Sequence, residues 1–299
     1  MDWKNVFQKQ LTMLGDFWVG SADIHNTVLG AEEQNRLLNK TKALLKQQAE
    51  IKQAIVHAQN VRTSDKREDL VVDYCLHTQW LIKKQDDFFL EERQEDRQTV
   101  IRDNRLVSDT LVSFAPIEEQ ASVREETADR TPEEVRSRTY DRLQAVRYAD
   151  LWWNRRNPNY PMVSDDCTNF ISQCLHAGGI PMWGEPIRGR GWWQHQTNWS
   201  FSWTVANSLR WYLSRQGSVM GAIEKSSANE LVPGDVICYD FDGDGHWNHN
   251  TIVTAMDGSG APLVNAHTYD ARHRPWAYTD SPAWTKQIHY KFFHIKDQT

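Results

Sequence analysis

The chain has 299 residues, longer than a typical single domain, so two folding units are the default expectation. With 39% hydrophobic and 25% charged residues it can build a packed core, which excludes wholesale disorder. A net charge of -6, with no basic run of five or more, argues against a nucleic-acid partner.

In chain order, Trp3, Val6, Phe7, Leu11, Leu14, Phe17 and Trp18 recur at helical spacing and predict a first helix over about 2–18. Leu37, Leu44, Ile51 and Ala58 recur every seven residues, with Leu38, Leu45 and Ile55 beside them. This predicts a second amphipathic helix over about 31–60, packed on its own domain or, as the rival reading, pairing in a short coiled coil. From about 68 to 115 the period changes. Leu70–Leu81, Phe88–Ile101 and Arg105–Ser113 read as a β-meander with connectors at Lys83–Asp87 and Asp103-Asn104. Residues 116–131 read as a linker, so the expected domains are 1–125 and 132–299, both within an α+β class. Thr131-Pro132-Glu133-Glu134 has the form of a capping box that opens a helix bearing Tyr140, Leu143, Val146, Ala149 and Trp153, closed at Asn157-Pro158-Asn159.

No run approaches the ~18 apolar residues of a membrane span, and the amino terminus carries no apolar export segment. A cytoplasmic location is the expectation, with an extracytoplasmic one open if a leader has been removed. Cys75, Cys167, Cys174 and Cys238 are scattered and form no CxxC pair, so free thiols are expected.

Asp165 and Asp166 precede Cys167, and Phe170, Ile171, Cys174 and Leu175 follow at helical spacing until Gly178-Gly179. This places Cys167 in the first turn of a buried helix, with the two aspartates as caps. Unpaired amides and the helix dipole at that position favour thiolate and can hold an oxyanion. Downstream, strands are expected at Val236–Phe241, about His249–Met256 and Leu263–Thr268. A histidine opening a strand suits a Cys–His pair, so His249 is the expected base and His246, within the turn, its rival. A third group should orient the imidazole. His267 and Asn265 share one strand face and are the candidates, His267 being favoured. Asp240, Asp242, Asp244 and Gly245 have the spacing of half a calcium loop, but position twelve is Thr251 rather than glutamate. A tight acidic turn aiming His249 is the plainer reading, and no metal or other cofactor is expected. The 14 tryptophans suggest aromatic grooves as well as core. Trp192, Trp193 and Trp203, with Arg188 and Arg190 nearby, read as a groove wall for a sugar or peptide, core packing being the alternative.

Read together, Tyr140-Asp141-Arg142, Ala145-Val146, Tyr148-Ala149, Trp153, Asn157-Pro158, Tyr160, Asp166-Cys167-Thr168-Asn169-Phe170-Ile171-Ser172-Gln173, Ala177-Gly178-Gly179, Trp192-Trp193, Ser202-Trp203, Gly234-Asp235, Asp244-Gly245, His249, Ile252-Val253-Thr254 and His267-Thr268 follow one another in an order that resembles the putative amidase domain family of Gram-positive bacteria. That family is similar in turn to NlpC-type and CHAP cell-wall peptidases and amidases. The resemblance spans about 138–295 and implies a papain-like fold and thiol-dependent amide hydrolysis. Cys167 matches the nucleophile, His249 the base and His267 the polar third member. Tyr160 or Asn157 would stand near the oxyanion. Trp192, Trp193, Tyr160 and Asn265 are the expected substrate contacts, and peptidoglycan-type peptides the expected substrate. A catalytically silent binding protein with an aromatic groove is the competing class. Oligomeric state is not legible.

Overall fold

The structure, a computed structural model, describes residues 2–112 and 139–297. The linker expected over 116–131 and the capping box at 131–134 lie outside the described residues.

Helix α1 (Trp3–Trp18) starts at Asp2, whose carboxylate accepts the Lys4 amide, and buries Phe7, Leu11, Leu14, Phe17 and Trp18. Helix α2 (Ala31–Lys46) is shorter than its seven-residue repeat predicts. The chain turns at Gln48, with φ 56, and strand β1 (Ala49–Lys66) takes over. Ile51, Ile55 and Val56 are β-branched, and extended pairing with β2 (Asp69–Lys84) overrides the helical spacing. With Ile51 and Ala58 in a strand, the coiled-coil reading falls. The meander is as expected: β3 (Asp87–Arg102) and β4 (Arg105–Leu111) follow, with tight turns at Gln85 and at Asp103-Asn104, all three at positive φ.

Helix α3 (Arg142–Trp152) begins at Asp141, whose side chain accepts the Gln144 amide. It buries Ala145 and Ala149, while Leu143 stays 57% exposed. Helix α4 (Cys167–Ala177) follows, then the ribbon β5 (Gln194–His195) and β6 (Asn198–Trp199). Helices α5 (Phe201–Thr204) and α6 (Ala206–Ser214) lead into β7 (Ala222–Lys225), β8 (Val236–Asp240), β9 (His249–Met256), β10 (Pro262–Ala266), β11 (Ala271–Pro275) and β12 (His289–Ile295).

One antiparallel sheet runs through both halves of the chain in the order β1-β2-β3-β11-β10-β9-β8-β12-β7, with β4 on β3. The seam is β3 against β11, where Glu92 opposes Arg272 and Arg93 opposes Ala271. Three hydrophobic cores form among the described residues. One draws on residues 7–82 alone; another packs α3, α4 and α6 on one sheet face through Phe170, Leu209, Ile252 and Phe293; the third gathers Ile237, Tyr239, Val253, Val264 and Tyr278 on the other face. Charge also crosses the seam. Lys40 reaches Glu91 at 2.6 Å and Asp280 at 3.4 Å, and Lys84 reaches Asp257 at 2.6 Å. Among the described residues, no helix is long and apolar enough to cross a membrane.

Gly191 shows how tightly the segment after α4 is folded. It lies at φ 68 beside the bridge between Trp183 and Trp192, and an added Cβ would stand 1.9 Å from the Trp183 carbonyl oxygen. Because the obstacle is backbone, Gly191→Ala is expected to destabilise the fold by about 2–4 kcal/mol, read as a lower urea midpoint at unchanged m-value.

Candidate active site around Cys167

Cys167 is the first residue of α4, as its flanking sequence predicts. Asp166 occupies the N-cap position but makes no capping bond. Its carboxylate instead accepts Asn169 Nδ2 at 2.8 Å and His267 Nδ1 at 2.6 Å, and pairs with Arg156 Nε at 2.8 Å. Asp165 accepts the Thr268 hydroxyl at 3.0 Å. The two aspartates therefore moor the start of α4 to the end of β10 rather than capping it.

The Cys167 side chain is 1% exposed, and Sγ lies 3.6 Å from the Thr168 hydroxyl. Burial pushes its thiol well above the usual range, and the Asp165 carboxylate pushes the same way. The Thr168 hydroxyl and the Asn250 amide pull in the opposite direction and do not prevail. Desolvation and a neighbouring carboxylate thus oppose the thiolate that the helix start favours.

Side-chain alternation along β9 decides where His249 goes. Asn250 and Ile252 face the helices; Asn250 Nδ2 donates to Thr168 Oγ1 at 3.0 Å. His249, Thr251 and Val253 face the other way. The His249 ring lies 5.2 Å from Tyr278 and 5.6 Å from Tyr239, between ring centroids, and its Nε2 has no hydrogen-bond partner. The structure brings the backbone amide of Asn250 to Cys167 and its side chain to Thr168, not the imidazole of the residue before it. The direct Cys167–His249 hydrogen bond expected from the sequence is absent, because period-two alternation turns adjacent side chains to opposite faces.

His267 is on the Cys167 face. It stacks on Phe170 with centroids 3.8 Å apart, and its Nε2 lies 2.8 Å from the Trp152 carbonyl. Both ring nitrogens meet acceptors, a carboxylate and a carbonyl, so the ring holds α4 and α3 to β10. It does not orient His249. Asn265 is fully buried; it donates to Asp150 and accepts from the Thr254 hydroxyl and the His273 amide. It neither supports His249 nor is open to a substrate.

Residues 139–293 match the family model described as "Putative amidase domain". The chain is also 47% identical over 274 residues to the Bacillus subtilis protein YhbB, covering 90% of this chain and 86% of that protein, itself described as uncharacterized. The chain belongs to this amidase family. A second Bacillus subtilis protein, YjcM, also described as uncharacterized, is 31% identical over 150 residues, which is 48% of this chain and 34% of that protein. No solved structure matches.

Within this family member the expected aromatic groove is instead core. Trp192 and Trp203 are both 0% exposed and Trp193 is 1% exposed. Trp192 donates to Ser172, Trp193 to the carbonyls of Ile187 and Arg190, and Trp203 to Asn169. With each indole nitrogen satisfied internally, Trp192 and Trp203 pack in the core with α4 and Trp193 is tied into its own segment, and none forms a ligand wall. Tyr160 stacks on Trp203 and is half-buried. Asn157 Nδ2 is engaged with the Tyr148 hydroxyl and is not free to act as an oxyanion donor. In the acidic turn, the Asp240 carboxylate accepts the amides of Gly243, Asp244 and Gly245, and Asp244 accepts that of His246. Asp240 shapes the turn with the oxygens a calcium ion would need. Among the described residues no group of three His, Cys, Asp or Glu side chains is placed to hold a metal.

The surroundings of His249 also set a pH dependence. Burial, with the Arg274 cation adding to it, lowers its pKa to about 3. The unfolded chain takes up a proton there near the ordinary value of about 6.5, whereas the folded chain does not. Between those limits stability falls as pH falls, by at most about 1.4 kcal/mol per pH unit from this group. His249→Phe is expected to show a smaller loss of urea midpoint between pH 7 and pH 5 than the parent protein.

Proposed function

We propose that this chain is a thiol amidase in which Cys167 attacks an amide carbonyl. The observation that supports this reading best is the setting of Sγ at the first position of α4, against the Asn250 amide and the Thr168 hydroxyl. Those donors, with the free amides of the first helical turn, suit an anion that develops during reaction on sulfur or on the carbonyl oxygen. The reaction is acyl transfer: sulfur bonds to the carbonyl carbon, the protonated amine leaves, and water releases the acid.

A general base needs a ring nitrogen with a free lone pair. His267 spends both nitrogens on Asp166 and Trp152. His249 keeps Nε2 unpartnered and lies one residue from the amide that meets Sγ. We therefore assign the base to His249 and a positioning role to His267. The side chains of Cys167 and His249 are both buried and lie on opposite faces of β9, so substrate entry must open the site and re-seat the first residue of that strand before the imidazole can reach sulfur. A papain-like arrangement and kinship with NlpC and CHAP enzymes belong to the same reading, as does a peptide amide of the peptidoglycan type as substrate.

A silent binding protein is the second reading, favoured by the burial and high pKa of the Cys167 thiol. One assay separates the two. Peptidoglycan fragments and synthetic stem peptides are incubated with the protein and with Cys167→Ala, and new amines are counted. Release by the parent protein alone supports the enzyme; equal release, or none from any peptide, sinks it.

A further inference from the structure

We propose that Arg210 is a receptor for the carboxylate of an acidic ligand, seated between Trp211 and Trp247. Five arginines are buried among the described residues: Arg36, Arg93, Arg97, Arg210 and Arg274. Four of them are carboxylate-paired, Arg36 with Glu95, Arg93 with Asp280, Arg97 with Asp109 and Arg274 with Asp280. Arg210 is the exception. It is 8% exposed, and its Nε and Nη1 are buried without a hydrogen-bond partner. Its guanidinium carbon lies 3.8 Å from the Trp211 ring centroid and 5.2 Å from that of Trp247. Indole faces offset only part of the cost of withdrawing a cation from water. The carboxylate of Glu224, on β7, is engaged by Lys291. A guanidinium held in this state is unsatisfied and suited to a planar, two-oxygen anion. Burial lowers its pKa, and Cys238 and Glu224, which act the other way, do not offset it.

Its position links it to the candidate site, and the ligand's identity as substrate rests on the amidase reading. Asn207, one turn before Arg210 on α6, accepts the Trp247 amide at 3.3 Å, and Trp247 stands two residues before His249. Arg210 acts on the Cys238 thiol, and Cys238 pairs in register with Asn250, whose side chain reaches Thr168 beside Cys167. The guanidinium is therefore on the Cys167 face of the sheet, beyond the neighbouring strand. A carboxylate bound there belongs to a part of the ligand several bonds from the amide at Cys167, as in an acidic peptide. Trp211, 47% exposed, is the wall that opens to admit it.

The test is thermal melting of the full chain with glutarate and with neutral glutaramide. Glutarate at about 100 times its Kd is expected to raise Tm by roughly 5–10 °C in the parent protein and in Cys167→Ala alike, with no shift from glutaramide. Arg210→Met keeps the aliphatic stem and removes the unpaired charge. It is expected to melt at or above the parent temperature and to ignore glutarate. If the chain cleaves peptides, this variant loses about tenfold to a hundredfold in kcat/KM on an acidic peptide but not on its amide counterpart. An Arg210→Met protein that fails to fold, melts well below the parent or still responds to glutarate would make the guanidinium a packing element and overturn the proposal. So would a shift produced by inorganic phosphate but not by glutarate. Absence of peptide cleavage with the glutarate shift intact would reject the amidase reading and leave the receptor standing.

Discussion

Cys167→Ala is expected to reduce amide hydrolysis by at least about 10³-fold while leaving the fold intact. The substitution removes one sulfur that faces the Thr168 hydroxyl, the Asn250 backbone amide and the Asp165 carboxylate. The Thr168 hydroxyl keeps its bond from the Asn250 side chain, since Asn250 Nδ2 donates to Thr168 Oγ1, and the cavity left by one sulfur atom is small. Turnover should therefore disappear with a Tm within a few degrees of the parent, and binding of an uncleaved peptide should persist. Cys174→Ala is the control. Its thiol is in the hydrophobic core, and its loss should lower stability without lowering activity per folded molecule. Comparable loss of turnover in both variants would show that the effect is one of packing.

The second large effect is on stability. Asp280 is buried, and its carboxylate meets Arg93, Arg274 and Lys40. Burial alone would raise its pKa, but the three cations outweigh it and hold the carboxyl well below the usual range. Removing the acid in Asp280→Ala leaves buried cations short of counter-charge. Breaking such a cluster costs about 3–5 kcal/mol. In a chain of this size the expected loss is on the order of 10 °C in Tm. The damage should spread to the site, because Arg274 lies over the Tyr278 ring at 3.7 Å and Tyr278 packs on His249. Lys40 and Arg93 come from the first half of the chain, so that half supports the wall behind the proposed base. An Asp280→Ala protein melting within 2 °C of the parent would show that water, not Asp280, balances these cations.

Much of the scaffold is legible in the amino-acid order. The Cys167 helix follows from apolar spacing ending at a glycine pair, and the meander turns fall where polar residues interrupt β-branched runs. The failures have distinct physical causes. The second helix stops at Lys46 because long-range pairing of β1 with β2 prevails over a local repeat. The tryptophans after α4 look like a groove in sequence, but the acceptors that bury Trp192 and Trp203, Ser172 and Asn169, lie 20 and 34 residues away on α4. The orientation of His249 was within reach of sequence reasoning. A strand side chain that meets the helices must share parity with Ile252, which selects Asn250 and rejects His249. Asp166 as the partner of both His267 and Arg156 was not, since that contact depends on how the end of β10 closes over α4.

Nucleophilic sulfur at residue 167 is tested most directly by acylation. Cys75, at 9% the most exposed of the four thiols, is first changed to serine, and the protein is treated with p-nitrophenyl acetate. A thiol amidase should release a burst of nitrophenol stoichiometric with protein, and peptide mass spectrometry should place the acetyl group on Cys167. Absence of a burst, or an acetyl group found on Cys174, Cys238 or a lysine with Cys167 unmodified, would contradict the assignment.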